Sequence, residues 1–188
     1  MFAPIPARHI EYALMADGVV ASDVNPLDDA KVDHGFRKLA GIKDNVGVWY
    51  FSLAQAESLL LSQEIDAMEF TNGRTYGAQD RGEPLEYVYN GAVMNLLTWV
   101  LAKGAPNRDN AIKFLAFSSR PDRQAALAEQ IYYGPTNRKG LELIGSEKTL
   151  ARLPSYPDNM AKQVLLDGEF WAKNLGKLKP RWTKITSG

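Results

Sequence analysis

Apolar positions in this chain recur first at helical spacing, then in short β-branched and aromatic runs, then at helical spacing again. Residues 10–16 read as a short helix closing at Asp17-Gly18, where glycine can take the left-handed conformation of a C-terminal cap. In the next segment Val32, Phe36 and Leu39 fall on one face. Asn25 is expected to cap that helix, Pro26 to take its first position, and Asp28 and Asp29 to favour its positive end.

The spacing then changes. Residues 46–51, Val-Gly-Val-Trp-Tyr-Phe, predict a strand with Trp49 and Phe51 on one face and Tyr50 on the other. Ser52-Leu53-Ala54-Gln55 has the spacing of a capping box and opens a helix running to about Gln63. Further strands are expected at 65–70 and 85–89, with an extended stretch at 93–101. Between the first two lie a turn at Thr71-Asn72-Gly73 and a helix to about Arg81. Alternation of strand and helix argues for an α/β layer architecture.

Beyond a loop at 103–107 the pattern is helical. Ala111, Ile112, Phe114, Leu115 and Phe117 give one helix its apolar stripe; Pro121 opens another that carries Ala125, Ala126, Leu127 and Ile131. After the loop at 132–137, shorter helices are expected near Arg138 and Pro157. A last one starts near Asp167 with Trp171, Leu175 and Leu178 on its stripe, and Pro180 is expected to bend or end it.

Composition narrows the function classes. The chain has 188 residues, 45% of them hydrophobic, enough for a real core. Acidic and basic residues balance at 22 each, so no general attraction to nucleic acid or anionic membrane is expected. There is no cysteine, which removes disulfides, thiolate metal sites and a cysteine nucleophile. His9 and His34, the two histidines, are not spaced as a metal pair. No nucleophile elbow, phosphate-binding loop or dinucleotide fingerprint is present, so neither an enzyme nor a cofactor is expected. Residues 2–7, Phe-Ala-Pro-Ile-Pro-Ala, are too short and proline-broken for the hydrophobic region of a signal peptide, which suggests a truncated chain.

Several segments, in order, carry a family resemblance: the capping-box helix with Gln63-Glu64-Ile65-Asp66 and Asn72-Gly73-Arg74; Trp99 to Asn107, read as Trp-Val-Leu-Ala-Lys-Gly-Ala-Pro-Asn; Arg120-Pro121-Asp122; Tyr133-Gly134-Pro135-Thr136-Asn137; and Glu169-Phe170-Trp171-Ala172 with Arg181-Trp182. Together they resemble the C-terminal part of periplasmic solute-binding proteins of ABC transporters, of the spermidine/putrescine type. The resemblance implies an α/β fold of the type II periplasmic-binding-protein kind, mostly the second lobe plus helices that normally pack on the first. It implies residues 1–93 as a second-lobe segment, 94–137 as a crossover strand with first-lobe-type helices, and 138–188 as C-terminal helices returning to the second lobe. Family members catch a ligand between two lobes, lie in the periplasm and deliver to a transporter permease.

On the family pattern, the ligand-binding candidates are Ser52, Gln55, Thr71, Asn72, Asn95, Leu97, Tyr133 and Trp171. Polyamine binders grip ammonium groups with carboxylates and aromatic faces, and this sequence departs from that recipe. Leu97 stands where the family places an aspartate, Asn95 where an aromatic is found, and Thr71 where a tryptophan commonly precedes Asn-Gly. Glu11 and Glu69 remain as carboxylates near the right segments, with ordinary surface or strand positions the simpler account. Ser52 and Gln55 read equally as a plain capping box, and Tyr133 and Trp171 equally as core aromatics. The leading expectation is a binding component, or part of one, for polyamines, smaller amines or amino-acid-like zwitterions. A remnant that survives by self-association or as a scaffold is the alternative.

Overall fold

The structure is a computed structural model and describes residues 5–187. Phe2, Ala3 and Pro4 of the leading segment lie outside the described residues. In chain order the elements are α1 (His9–Ala16), α2 (Ala21–Val24), α3 (Asp29–Ile42), α4 (Leu53–Leu61), α5 (Asn72–Asp80), β1 (Val93–Met94), α6 (Arg108–Ser118), α7 (Pro121–Ile131), α8 (Arg138–Glu142), α9 (Glu147–Leu150), α10 (Pro157–Met160), β2 (Val164–Leu165) and α11 (Gly168–Thr186). They divide into two units. The first holds Met1–Thr71, Asn90–Asn95 and Gln163–Gly188; the second holds Asn72–Tyr89 and Leu96–Lys162. Residues 72–89 thus group apart from the rest of the 1–93 segment, and residues 138–162 apart from the remainder of 138–188.

In the first unit α1, α3 and α11 enclose the core. Ile10 and Leu14 of α1 meet Val32, Phe36 and Leu39 of α3, the face read from the sequence, and Trp171 and Trp182 of α11 complete the cluster. Asp28, not Asn25, caps α3: its carboxylate accepts the Lys31 amide at 2.7 Å. Asn25 lies one residue beyond α2 and donates its amide to the Leu165 carbonyl at 2.6 Å. The acidic pair therefore supplies the cap as well as the charge, which displaces the cap three residues from its expected place.

Helix α11 runs through Pro180 to Thr186. Proline removes one amide and crowds the preceding turn, so continuation needs compensation. Trp182, two residues on, is almost fully buried; His9 stacks on its ring at 4.9 Å and Trp49 meets it edge-on at 5.4 Å. Burial of that indole outweighs the local helix-breaking preference.

The expected strands are mostly absent. A strand exists by its ladder, and among the described residues the one ladder pairs Val93 and Met94 in parallel with Val164 and Leu165 through bonds such as Val164 N to Ala92 O at 2.9 Å. Residues 65–70 and 85–89 carry no ladder, and 46–51 show a single bridge at Trp49. Trp49 and Phe51 do not share an environment either: Trp49 packs on Trp182 while Phe51 is 78% exposed. The Phe51 amide already bonds the Gln55 side chain at 3.1 Å, so the chain is turning into α4 at that point and alternation has ended.

The second unit packs α7 against α8 and the segment around Leu153, with Ala125, Ala128, Ile144 and Leu153 at its centre. Asn72 begins α5 rather than forming a turn. Helix α6 buries none of its residues, and Leu97, Trp99 and Val100 before it are exposed, Val100 by 87%. Among the described residues no helix is long and apolar enough to cross a membrane.

His9 generates a test of this core. Burial lowers its pKa from the ordinary 6.5 to about 4, against the raising effects of Glu69 and the Ile5 carbonyl. The unfolded chain binds this proton between those values and the folded chain does not, so the contribution is present above pH 6.5 and is lost as pH falls toward 4. Replacing His9→Phe keeps a ring on Trp182 and removes the titration. Urea unfolding of both proteins should show the variant gaining on wild type by roughly 3 kcal/mol between pH 7 and 4. A constant difference across that range would contradict a buried neutral imidazole.

Candidate functional site

The candidates taken from the family pattern fall in both units. Ser52, Gln55, Thr71, Asn95 and Trp171 belong to the first; Asn72, Leu97 and Tyr133 belong to the second. Ser52 and Gln55 are brought together as a capping box: the Ser52 hydroxyl accepts the Gln55 amide at 3.2 Å, and the Gln55 side chain accepts the Phe51 amide at 3.1 Å. Both are exposed, so capping leaves them facing solvent. Thr71 is half-buried, Asn95 is exposed, and Leu97 is 73% exposed. Trp171 is buried in the first unit's core, where its indole donates to Glu11 Oε1 at 2.6 Å. Asn72 is buried and donates to the Tyr132 carbonyl at 2.6 Å, while Tyr133 beside that carbonyl is partly exposed.

In the first unit the structure assembles a polar group that the sequence pattern did not single out. Arg8, immediately before α1, donates Nε–H to Glu69 Oε1 at 2.8 Å. The other oxygen, Oε2, accepts the Tyr50 hydroxyl at 2.7 Å. Three segments therefore meet at one carboxylate: the entry to α1, the run before α4 and the run before α5. An ordinary surface or strand position is the simpler expectation for Glu69, and its side chain is only 11% exposed, that of Arg8 21%. Half-buried charges of opposite sign hold each other in such a place, because each alone would lose hydration without compensation. Burial, followed by the Glu69 charge, pushes the Tyr50 phenol well above its ordinary pKa, so it stays a neutral donor.

Arg8 sits at φ 73°, ψ −39°. That conformation is uncommon for a residue with a side chain and costs on the order of 1–3 kcal/mol. It persists here because α1 is fixed on both sides of it: Ile10 and Leu14 are buried, and the Ile10 amide bonds the Pro6 carbonyl at 3.1 Å. Glu69 occupies only the Nε edge of the guanidinium. Among the described residues neither terminal nitrogen has a hydrogen-bond partner, and those two nitrogens form the edge of a guanidinium that suits a planar anion.

Below this group the N-terminal turn of α1 is anchored by two aromatics of α11. His9 donates Nδ1–H to the Ile5 carbonyl at 2.8 Å and stacks on Trp182. Glu11, the second carboxylate expected at an ordinary surface or strand position, is instead fully buried on α1, with Trp171 as its donor. Burial raises its pKa, and the Trp171 bond opposes that rise. No spacing rule could have paired residues 61 or 160 positions apart; the only local signal was an arginine and two acids in otherwise apolar surroundings.

Such an arrangement can recognise a small charged molecule. Comparison with known proteins agrees. Residues 4–157 match the model of the family described as bacterial extracellular solute-binding protein. The gamma-aminobutyric acid-binding protein of Pseudomonas aeruginosa is 35% identical over 176 residues, which cover 92% of this chain and 49% of that protein. The spermidine/putrescine-binding periplasmic protein of Escherichia coli is 25% identical over 158 residues, 81% of this chain and 42% of that one. The chain thus spans about half the length of the curated relatives it matches. Among solved structures, an ABC transporter substrate-binding protein from Bradyrhizobium japonicum superposes with a TM-score of 0.85 at 35% identity, covering 98% of this chain and 57% of that one. The fold is the α/β fold of periplasmic binding proteins, and these relatives are binding proteins, not enzymes. The chain belongs to the family of bacterial extracellular solute-binding proteins.

Proposed function

We propose that this chain is part of the substrate-binding component of an ABC transporter, acting in the periplasm with a permease partner, and that its ligand is a small amine that also carries a carboxylate. Capture is reversible and involves no covalent step. The observation that carries this reading is Arg8: a guanidinium held at a strained backbone position, tied along one edge by Glu69 and with no partner among the described residues for its terminal nitrogens. Strain of this kind is kept where the surrounding structure fixes a residue for a task. A free guanidinium fork matches a carboxylate in two parallel hydrogen bonds, which a lysine could not reproduce.

The same geometry weighs against a linear polyamine. Glu69 is the carboxylate in this group, and Arg8 already neutralises it, so an ammonium arriving there would compete with a bonded cation. Leu97 and Asn95 supply no replacement charge. The likeness to a gamma-aminobutyric acid-binding protein at higher identity than to polyamine binders supports the same choice. Ser52 and Gln55 remain candidates for polar contact with the ligand, since their capping bonds leave both exposed.

Calorimetric titration of the full-length natural protein carrying this sequence tests the reading, with 4-aminobutyrate and putrescine as ligands of similar length. Wild type should bind 4-aminobutyrate more tightly than putrescine. Arg8→Lys keeps a cation beside Glu69 but loses the fork, and should weaken 4-aminobutyrate at least about tenfold while changing stability by less than about 1 kcal/mol. Unchanged affinity in that variant would sink the assignment of Arg8.

A further inference from the structure

Tyr50 meets Glu69 at two points. Its hydroxyl donates to Glu69 Oε2 at 2.7 Å and lies 3.4 Å from the Glu69 backbone oxygen. The residue is only 4% exposed, and its ring packs with Ala56 of α4 and with the partly buried Met68 and Phe70, which flank Glu69 in the chain. The capping box of Ser52 and Gln55 begins two residues after Tyr50 and fixes the first turn of α4, which carries the Ala56 side of this cluster. The phenol therefore stands in a set place. Burial, then the Glu69 charge, keeps it protonated, so it remains a donor.

What that donor changes is the geometry of the ion pair beside it. A carboxylate that meets a guanidinium commonly closes both oxygens on it in two parallel bonds. Here Oε1 takes Arg8 Nε–H at 2.8 Å, while Oε2 takes the Tyr50 hydroxyl in place of a terminal nitrogen of Arg8. Removing the hydroxyl would strip Oε2 of that donor in a place where only 11% of the Glu69 side chain is exposed. A half-buried carboxylate oxygen seeks a new donor, and the guanidinium already bonded to its twin offers one.

We infer that Tyr50 is a positioning residue: by taking Glu69 Oε2 it holds the Arg8–Glu69 pair to a single bond and keeps both terminal nitrogens of Arg8 for the carboxylate of the ligand. The inference rests on the ligand role proposed above for Arg8 and deepens it. Arg8, Tyr50 and Glu69 all belong to the first unit. A second bond from Glu69 would draw on one of the two nitrogens that the ligand needs, and it would neutralise more of the guanidinium charge. Tyr50 acts on the ligand through Glu69 and Arg8 and not by contact.

A double-mutant cycle of Tyr50→Phe with Glu69→Gln in the full-length natural protein, read by calorimetry with 4-aminobutyrate and in parallel by thermal unfolding, separates positioning from stability. Phenylalanine keeps the packed ring and removes only the hydroxyl. In the wild-type background it should weaken binding about tenfold. On Glu69→Gln it should have no effect, because the amide keeps an oxygen for Arg8 Nε–H while its NH2 group has no lone pair with which to close on a terminal nitrogen. Equal weakening in both backgrounds is what a merely structural hydroxyl would give. That result, or full affinity in Tyr50→Phe, would overturn the positioning role and leave the proposed function standing. A ligand-free crystal structure of Tyr50→Phe gives a reading that needs no second variant: both Glu69 oxygens should bond Arg8, and a carboxylate still on Nε alone would overturn the inference. Absence of any 4-aminobutyrate binding by wild type would overturn both.

Discussion

A hydrogen bond between two buried side chains, from the Trp171 indole to the Glu11 carboxylate, is the constraint on which the first unit depends. It joins α1 to α11 across 160 positions of sequence, and the neighbouring stack of His9 on Trp182 fixes the same turn of α1. A polar contact in an apolar core contributes little net free energy, yet leaving either partner unmade is costly, so it selects one packing among several apolar alternatives. Because α1 cannot rotate, the residue before it cannot either. Arg8 is held in its strained conformation by a helix that is fixed for other reasons.

This ordering of causes explains why the recognisable chemistry is sparse. Glu69 is not an exposed anchor awaiting a cation; it is a brace, taking Arg8 on one oxygen and Tyr50 on the other. What the brace presents is the remaining edge of a guanidinium.

Much of the helical framework was legible in the sequence. The stripe Val32, Phe36, Leu39, the capping box at Ser52 and the proline opening α7 are local patterns, and local patterns survive in the structure. Strands were overestimated because β-branched and aromatic runs report only that a segment suits a ladder, not that a neighbour is there to complete it. Residues 46–51 have the composition of a strand and a single bridge. Residues 164–165 have an unremarked composition and a partner. The family resemblance pointed to Asn72 and Tyr133 as separate candidates and could not reveal that Asn72 bonds the carbonyl beside Tyr133. Arg8 escaped notice because neither a backbone dihedral nor a partner 61 positions away leaves a trace in spacing.

The central claim is that Arg8 receives the carboxylate of a small amino-acid-like ligand. A crystal structure of the full-length natural protein with bound 4-aminobutyrate addresses it most directly. The account requires both ligand carboxylate oxygens within about 3 Å of the Arg8 terminal nitrogens, with the Arg8–Glu69 pair intact. A ligand whose ammonium group sits on Glu69, with Arg8 displaced, would contradict it.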